Sequence, residues 1–569
     1  MIGFRNLIEA LAAAPGDRPF ITAWISEDQG ETLTFGEFRG RARLEAQFLR
    51  EQGAGAGDRV IIIMPQSIAA MTTFVGAMML GAVPAFLAYP NFKVEPSKYR
   101  AGLAGVTANL RAAMVVIDKD FPADMLGHVT LGEGTKLLRV GAHRGGDTDL
   151  PNCEIPAEST AFIQHSAGTT GLQKGVALTH SAVLRQLEHL AAALEVDGAT
   201  DCVYSWLPLY HDMGLIACFM LPMVCHVPVV MQSPLDWVMQ PETMLQILSA
   251  HKCTLAWMPN FAFQFVPRRT PENRWAQYDL SSARALINCS EPVRASSMKE
   301  FELAFSTIGL KTGVLQSSYA MAENVFAVTQ SDINRTSGPA RIWANGKQFR
   351  SLHRVKPVTE DTPGAVSFTS SGQPLAGNEV RISSDSDVPL DDGHVGEILV
   401  RSDSLFTGYY NRPDLTGLAI VDGWYRTGDL GFIRENELYV IGRKKDLLIV
   451  GGENFYPQDI EEIISSHPAI HDGRAIAIGV YNPDLGTEDI VVVAEVEREV
   501  ELAEGLEIER EIRNLIVAGI GLAARKIFLK PPKWIVKSTA GKPARSSTRE
   551  KLLKEHPELS VEPEESRLE

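Results

Sequence analysis

A glycine-rich segment carries the clearest chemical signal in the sequence, and it reads Ser166-Ala167-Gly168-Thr169-Thr170-Gly171-Leu172-Gln173-Lys174-Gly175. Its glycines allow backbone N–H groups to turn inward on a bound anion. The hydroxyls of Thr169 and Thr170 add hydrogen-bond donors, and Lys174 adds a positive charge. The segment does not fit the GxxxxGK[ST] loop of nucleoside triphosphatases. Its composition nevertheless predicts a loop that binds phosphate.

Six short motifs follow this loop along the chain. They are Tyr210-His211-Asp212, Ser290-Glu291-Pro292, Ser318-Tyr319-Ala320-Met321-Ala322-Glu323, Tyr425-Arg426-Thr427-Gly428-Asp429, Gly442-Arg443-Lys444-Lys445-Asp446 and Gly541-Lys542. With the loop, and in this order, they resemble the adenylate-forming superfamily of acyl-CoA synthetases, luciferases, peptide-synthetase adenylation domains and fatty acyl-AMP ligases. The resemblance covers nearly the whole chain.

The resemblance implies that the chain activates a carboxylic acid with ATP and Mg²⁺, forming an acyl-AMP and releasing pyrophosphate. The attacking carboxylate is already ionised at neutral pH, so the reaction needs no general base. In agreement, the sequence contains no GxSxG nucleophile motif. The rate enhancement is expected to come from positioning and from stabilisation of negative charge by Mg²⁺, loop amides and a lysine.

By the same resemblance, Lys542 bridges the attacking carboxylate oxygen and the α-phosphate, and Asp429 accepts hydrogen bonds from both ribose hydroxyls. Tyr319 stacks on adenine, Glu323 holds Mg²⁺, and Lys445 is the hinge between domains. The predicted catalytic residues are Lys542, Thr169, Thr170, Lys174 and His211. The predicted nucleotide-binding residues are Ser166, Gly168, Gly171, Ser290, Glu291, Pro292, Ser318, Tyr319, Ala320, Asp429 and Arg443.

The acid-binding pocket is expected to be apolar, because the residues predicted to line it are mostly aromatic or aliphatic. They are Trp257, Met258, Asn260, Phe261 and Phe263. An alkyl or aryl acid, and in particular a fatty acid, suits such walls better than an amino acid. The sequence does not define the length of the acid.

Three functional hypotheses stay open. Tyr456-Pro457-Gln458-Asp459-Ile460-Glu461 and segment 331–365 look like fatty acyl-AMP ligases, which implies transfer of the acyl group to a carrier protein. The pair Gly451-Gly452 is closer to CoA-forming synthetases, which makes CoA the alternative acceptor. A non-catalytic nucleotide-binding regulator is the third hypothesis, and the intact Lys542 and Asp429 argue against it. Because Asp403-Ser404-Leu405 only looks like a carrier attachment triplet, we expect any carrier to be a separate protein.

The elements that position these residues show an α/β pattern. Strand-like runs at VIIIM, MVVID, HVPVVM, TLAWM and ARALIN alternate with helical segments, which predicts layered parallel sheets. Polar segment 331–365 is a long loop or an inserted module. We expect a large domain at 1–442, a small mobile α+β domain at 443–555 and a disordered acidic tail at 556–569. In the small domain, helices are expected at 457–465 and 505–519, and strands at 474–481 and 489–496.

Charge and hydropathy limit the function classes further. The chain has 569 residues and a formal net charge of -16, which argues against nucleic acid as a partner. No charge occurs between Val60 and Phe92, but Pro65 and Pro84 interrupt this stretch. We therefore expect a buried strand, helix and strand there rather than a membrane span. The N-terminus has no secretory signal pattern, so a cytoplasmic protein is expected.

Overall fold

The computed structural model describes residues 3–26, 29–90, 96–140, 154–165, 174–451, 453–483, 485–496, 498, 501–537 and 543–559. Its α-helices are Leu7–Ala13, Phe35–Glu51, Ile68–Met79, Pro96–Leu110, Ala123–Leu126, His180–Ala193, Leu221–Cys225, Pro234–Met239, Thr243–Ala250, Ala262–Arg269, Ala295–Phe305, Gly346–Leu352, Pro413–Ala419, Pro457–Ser465, Leu502–Ile520 and Arg545–Glu555. A π-helix spans Met213–Met220, and 3-10 turns span Glu272–Gln277, Ser306–Ile308, Ala322–Asn324, Lys444–Asp446 and Pro557–Leu559.

A nine-stranded sheet forms the centre of the fold. In spatial order its strands are Gln373–Pro374, Ala327–Gln330, Leu315–Ala320, Ala285–Asn288, Leu255–Met258, Val203–Ser205, Val229–Gln232, Pro19–Ser26 and Gln29–Thr34. The six strands from Leu315–Ala320 to Pro19–Ser26 run parallel, and the outer strands on both sides run antiparallel. The four inner strands of the parallel part are fully buried, and apolar residues predominate in them.

A second, four-stranded sheet is parallel throughout. Its strands, in spatial order, are Val83–Phe86, Arg59–Ile63, Met114–Ile117 and Lys136–Arg139. The uncharged stretch supplies two of them and helix Ile68–Met79, whose N-cap Ser67 accepts a 3.2 Å hydrogen bond from the Ala70 amide. The expected strand, helix and strand are therefore present. Among the described helices, none combines the length and apolar character that crossing a bilayer requires.

Two antiparallel sheets flank the parallel ones. The larger contains Asn378–Ser383, Gly396–Ser402, Trp424–Arg434, Ile420–Val421 and Glu437–Arg443. The smaller contains Gly408–Tyr409, Gly175–Thr179 and Thr160–His165. His165 pairs with Gly175 at the two described ends of the predicted phosphate loop. Residues 166–173 of that loop lie outside the described part of the chain.

Segment 331–365 contributes to a folded module rather than a long loop. Strands Pro357–Val358, Arg341–Asn345 and Ala365–Thr369 form a three-stranded sheet, and helix Gly346–Leu352 packs on it. The ring of Phe349 in this helix lies 4.8 Å from that of Phe368 and 5.8 Å from that of Tyr456. The module therefore contacts the C-terminal part of the chain directly.

The C-terminal part has its own apolar clusters. Hairpin Leu448–Val450 and Glu453–Phe455 precedes a sheet of Ile470–Asn482, Thr487–Val496 and Lys526–Lys530, with helices on both faces. The predicted helix at 457–465 is present with these bounds, and the other three predicted elements extend one to four residues further at their ends. The domain boundary at 442/443 stays a prediction. Leu559 is buried, so order continues into the region predicted as a tail, whereas 560–569 lie outside the described residues.

Gly372 provides a test of how closely strand Gln373–Pro374 approaches its neighbour Ala327–Gln330 in the nine-stranded sheet. Its φ is +96°, and a Cβ there would lie 2.1 Å from the carbonyl carbon of Gln330. Gly364 has a similar φ of +73° but open space around it. Both alanine variants incur the left-handed backbone cost of about 1–2 kcal/mol. Gly372→Ala adds an overpacking cost of about 1–3 kcal/mol. We predict that Gly372→Ala lowers the thermal unfolding midpoint clearly more than Gly364→Ala, and equal midpoints would contradict this packing.

Candidate functional site

A cleft of about 2740 Å³ opens where the parallel strands of the nine-stranded sheet end. Successive loops at this edge contribute Trp206–Met213, Pro259–Phe261 and Ser290–Pro292, and strand Leu315–Ala320 contributes its last three residues. The carboxyl ends of parallel strands meet at one edge, which is where open α/β sheets bind ligands. Residues of the C-terminal part line the opposite side of the cleft.

Asp429 and Tyr319 form the polar centre of this cleft. The Tyr319 hydroxyl donates a 2.6 Å hydrogen bond to Oδ2 of Asp429. Asp429 pairs with Arg443 in the register of two antiparallel strands, and Arg443 Nε lies 3.6 Å from Asp429 Oδ1. The structure thus brings together three residues that are far apart in the sequence. Their arrangement leaves carboxylate lone pairs available to a ligand with hydroxyl groups.

Burial sets the protonation behaviour of this pair. It raises the pKa of Asp429, against the opposing effects of Arg443 and the Tyr319 hydrogen bond. Burial and the neighbouring Asp429 charge raise the pKa of Tyr319 far above its usual range, so this hydroxyl remains a donor. The Asp429 carboxyl therefore becomes protonated at a higher pH than an ordinary aspartate.

The Ser290-Glu291-Pro292 loop connects the predicted adenine side of the cleft to its apolar side. Ser290 has a φ of +69°, an unusual conformation for a residue other than glycine. Oε2 of Glu291 accepts a 3.0 Å hydrogen bond from the Phe261 amide. Asn260 Oδ1 accepts 2.9 Å bonds from the Arg294 amide and the Asn288 side chain. These hydrogen bonds hold the Ser290-Glu291-Pro292 loop against Asn260 and Phe261, where the apolar wall of the cleft begins.

Ser318 and Ala320 flank Tyr319 at the cleft, and each has a defined environment. The Ser318 hydroxyl donates 2.7 Å to the carbonyl of Thr329 on the adjacent antiparallel strand. Ala320 is half-buried and lines the cleft. This pairing fixes the strand end that presents the Tyr319 ring.

Glu323 and Lys174 meet around one aromatic ring. The Tyr409 hydroxyl donates a 2.7 Å hydrogen bond to Glu323 Oε1, and Lys174 Nζ lies 4.4 Å from the centre of the Tyr409 ring. Tyr409 pairs with Val176 in the strand that follows the glycine-rich loop. Among the described residues, Glu323 is not part of any cluster of three or more metal-binding side chains.

His211 lies in the cleft wall beside Asp212, with its Nδ1 2.6 Å from Asp212 Oδ1. The loop that carries His211 turns sharply into the π-helix, and Gly214 makes this turn possible. A Cβ at Gly214 would lie 2.4 Å from the carbonyl oxygen of Pro208. A larger residue at this position would clash with the backbone, so packing explains the glycine in the His-Asp-Met-Gly sequence.

The apolar wall of the cleft is one face of helix Ala262–Arg269 together with the residue before it. Phe261, Gln264, Phe265 and Arg268 line the cleft at helical spacing. Phe263 lies on the opposite face, is fully buried and packs against Phe301 at 5.3 Å between ring centres. Further apolar lining comes from Trp206, Leu235, Val238 and Met239.

This geometry corrects the predicted acyl pocket. Asn260 and Phe261 line the cleft, but Trp257, Met258 and Phe263 belong to the core and are absent from its lining. Trp257 and Met258 lie in a central strand that is covered on both faces. The sequence prediction missed Phe265 and Met239, and the helical period starting at Phe261 would have indicated Phe265.

Lys445 lies immediately after the strand that ends with Arg443. It is exposed in the 3-10 turn Lys444–Asp446. Neighbouring atoms partly desolvate its ammonium group, and this desolvation together with the nearby Arg443 lowers the pKa of that group. Six predicted site residues lie outside the described part of the chain, namely Ser166, Gly168, Thr169, Thr170, Gly171 and Lys542.

Comparison with known proteins adds a family to this geometry. The family model described as "AMP-binding enzyme" matches residues 8–410, which is more than half of the chain. The chain belongs to the AMP-binding enzyme family. The expected adenylate-forming enzyme and its layered α/β fold are thereby confirmed.

Known relatives of this AMP-binding enzyme cover almost its whole length. A "4-hydroxyphenylalkanoate adenylyltransferase" of Mycobacterium tuberculosis (strain ATCC 25618 / H37Rv) is 30% identical, over 93% of this chain and 87% of the relative. "Long-chain-fatty-acid--AMP ligase FadD28" of Mycobacterium tuberculosis (strain CDC 1551 / Oshkosh) is 30% identical, over 95% and 97%. A solved structure from a study of fatty acyl-adenylate ligases from E. coli and L. pneumophila aligns with a TM-score of 0.89 and 26% identity, covering 98% and 99%.

The Asp429 environment generates a prediction about pH. Because burial raises the pKa of Asp429, its carboxylate is lost as the pH falls through this raised pKa, and KM for ATP is expected to rise. Asp429→Asn should raise KM for ATP about tenfold or more and remove this pH dependence, since hydrogen bonds to a charged group contribute about 1.5–3 kcal/mol. The measurement is KM for ATP between about pH 8 and about pH 5.

Tyr319→Phe is the matched variant for this measurement. The Tyr319 hydroxyl lowers the pKa of Asp429, so removing it should move the inflection of KM to higher pH. An unchanged pH profile in both variants would remove Asp429 from nucleotide binding.

Proposed function

We propose that this enzyme uses ATP to convert a fatty acid to acyl-AMP and then transfers the acyl group to the phosphopantetheine thiol of a carrier protein. One observation supports the first half-reaction, which is the formation of acyl-AMP. The Asp429 carboxylate, which suits ribose hydroxyls, and the apolar face with Phe261 and Phe265 line the same cleft. An acid and a nucleotide bound there would meet at the ends of the parallel strands.

The names of the relatives support a fatty or aryl-alkyl acid as the substrate. One is named for a long-chain fatty acid and another for a 4-hydroxyphenylalkanoate. Leu235, Met239 and Phe261 are large apolar side chains at least two-fifths exposed, and all three line the cleft. Covering such a surface with an apolar chain is favourable by about 25 cal/mol per Å² of apolar area removed from water.

Glu323 is the residue that we propose holds Mg²⁺. Its Oε1 accepts from Tyr409, whereas its Oε2 has no hydrogen bond to a described residue. Mg²⁺ in nucleotide sites commonly takes one or two carboxylates, phosphate oxygens and waters, so a single glutamate fits this donor set. When bound, Mg²⁺ supplies neutralisation of phosphate charge. Lys174, stacked on the same tyrosine, would hold a phosphate oxygen from the protein side.

The inserted module supports a carrier protein over CoA as acceptor. Helix Gly346–Leu352 contacts the chain just after the proposed hinge, where Nδ1 of His353 lies 3.2 Å from Nδ2 of Asn454. The Arg350 guanidinium also lies 5.5 Å from the centre of the Phe455 ring. These contacts favour the present orientation of the C-terminal part. A bias of about 3 kcal/mol toward this orientation would reduce the population of a rotated state more than about a hundredfold.

The first experiment supplies enzyme, ATP, Mg²⁺ and a series of medium- to long-chain acids together with CoA, and follows pyrophosphate, acyl-AMP and acyl-CoA separately. We predict that acid-dependent pyrophosphate and acyl-AMP form while acyl-CoA stays low. Stoichiometric acyl-CoA formation would overturn the proposed acceptor. Absence of acid-dependent pyrophosphate would overturn the adenylation itself.

Lys542→Ala is the internal control for this experiment. A lysine that acts on charge developing in the transition state contributes to rate more than to ATP binding. Acid-dependent pyrophosphate release is therefore expected to fall by orders of magnitude, with little change in ATP affinity. Near-normal turnover would remove Lys542 from the mechanism.

A further inference from the structure

The C-terminal part contains a segment whose charge is opposite to that of the rest of the chain. Between Arg525 and Lys554 there are ten lysines and arginines and one acidic residue, Glu550. The whole chain has 54 basic and 70 acidic residues. A local excess of this size indicates a binding surface for an acidic partner more readily than a solvated face.

The structure gathers part of this segment into one surface, which we call the basic surface. It consists of Lys530, Lys533, Trp534, Lys551 and Lys554. Lys533 and Lys554 are exposed, and no carboxylate of a described residue lies within ion-pair distance of them. Their charges are therefore not neutralised by any carboxylate that the structure describes.

An aromatic side chain organises the centre of the basic surface. The ring of Trp534 lies between two ammonium groups, with Lys551 Nζ at 4.3 Å and Lys530 Nζ at 4.6 Å from its centre. Lys551 also donates a 2.9 Å hydrogen bond to the Trp534 carbonyl, and Lys530 pairs with Glu555 at 2.8 Å. A half-buried tryptophan held among lysines suits a protein partner, because tryptophan is enriched at the energetic centres of interfaces.

The position of the basic surface connects it to the reaction. Lys533, Trp534 and Lys554 line the same cleft as Tyr319 and Asp429. A partner bound on this surface therefore lies at an opening of the cleft in which the acyl-AMP would form. The overall acidic chain repels extended polyanions such as nucleic acids and anionic bilayers, whereas a small acidic protein can approach one local basic region.

We propose that the basic surface docks an acidic face of the carrier protein that brings the acceptor thiol to the cleft. This inference rests on the proposed carrier-dependent function and adds the residues that recognise the partner. The lysines raise the association rate and orient the carrier, and Trp534 contributes contact area. Electrostatic steering of this kind weakens with salt.

The test is a double charge reversal, Lys533→Glu and Lys554→Glu, in the full-length enzyme. The probe is a phosphopantetheinylated acyl carrier protein of acidic pI, and loading is measured at increasing salt. We expect kcat/KM for the carrier to fall about tenfold or more and to lose its salt dependence. Acid-dependent pyrophosphate release is measured in the same variant, and we expect it to fall far less than carrier loading does.

Two controls separate docking from general charge effects. Lys533→Arg and Lys554→Arg retain the charges and should retain loading. Lys119→Glu and Lys311→Glu change the net charge by the same amount at exposed positions outside the cleft lining, and should also retain loading. Loading that is equally reduced by the distant reversal would overturn the basic surface as a docking site.

The outcomes distinguish this inference from the proposed function. Carrier loading that is indifferent to the double reversal overturns the docking surface and leaves the carrier acceptor standing. Normal acyl-AMP formation with no carrier loading by the parent enzyme overturns the acceptor as well. Sedimentation of the enzyme with phosphatidylglycerol vesicles, lost in the double reversal without any effect on loading, would assign the surface to anionic lipid instead.

Discussion

The hydrogen bond from the Tyr319 hydroxyl to the Asp429 carboxylate joins the parallel sheet to the antiparallel sheet. Asp429 in turn faces Arg443, the last residue of its neighbouring strand, and the C-terminal part begins within a few residues of that point. The polar centre of the cleft and the exit to the C-terminal part are thus fixed by one short chain of contacts. A substitution that breaks one of these contacts would affect ligand binding and the orientation of the C-terminal part together.

The cleft combines two environments that an acid-activating enzyme needs at close range. On one side, the half-buried Asp429 carboxylate and a tyrosine hydroxyl provide directed polar contacts, whose strength depends on exclusion of water. On the other side, Phe261, Phe265 and Met239 provide apolar area without directional demands. The Glu291 side chain, which accepts from the Phe261 amide, connects the two sides directly. The wall that we propose binds the nucleotide and the wall that we propose binds the acid are therefore joined by this hydrogen bond.

Sequence patterns predicted the layers, and the predicted nucleotide-binding residues that the structure describes all line one cleft. One apolar wall of that cleft was not predicted. The apolar run VIIIM and the period of helix 457–465 are local signals, and the structure contains both elements. The family motifs placed Tyr319 and Asp429 in one site, and they share a hydrogen bond. Composition did not identify the cleft-facing side of helix Ala262–Arg269, because Phe263 and Phe265 are equally apolar. The helical period starting at Phe261 distinguishes them, and in the structure Phe263 is buried against Phe301. Segment 331–365 gave no periodic signal because its strands are short and its core partners, such as Phe432 and Tyr456, are distant in sequence.

A structure of the enzyme with a non-hydrolysable acyl-sulfamoyl adenosine tests the central role of Asp429 most directly. Both ribose hydroxyls are predicted to lie about 2.6–3.0 Å from the Asp429 carboxylate oxygens. The acyl chain is predicted to lie against Phe261 and Phe265. A ribose more than about 4 Å from Asp429, with that carboxylate bonded only to Tyr319 and Arg443, would contradict the assignment of this cleft as the site of adenylate formation.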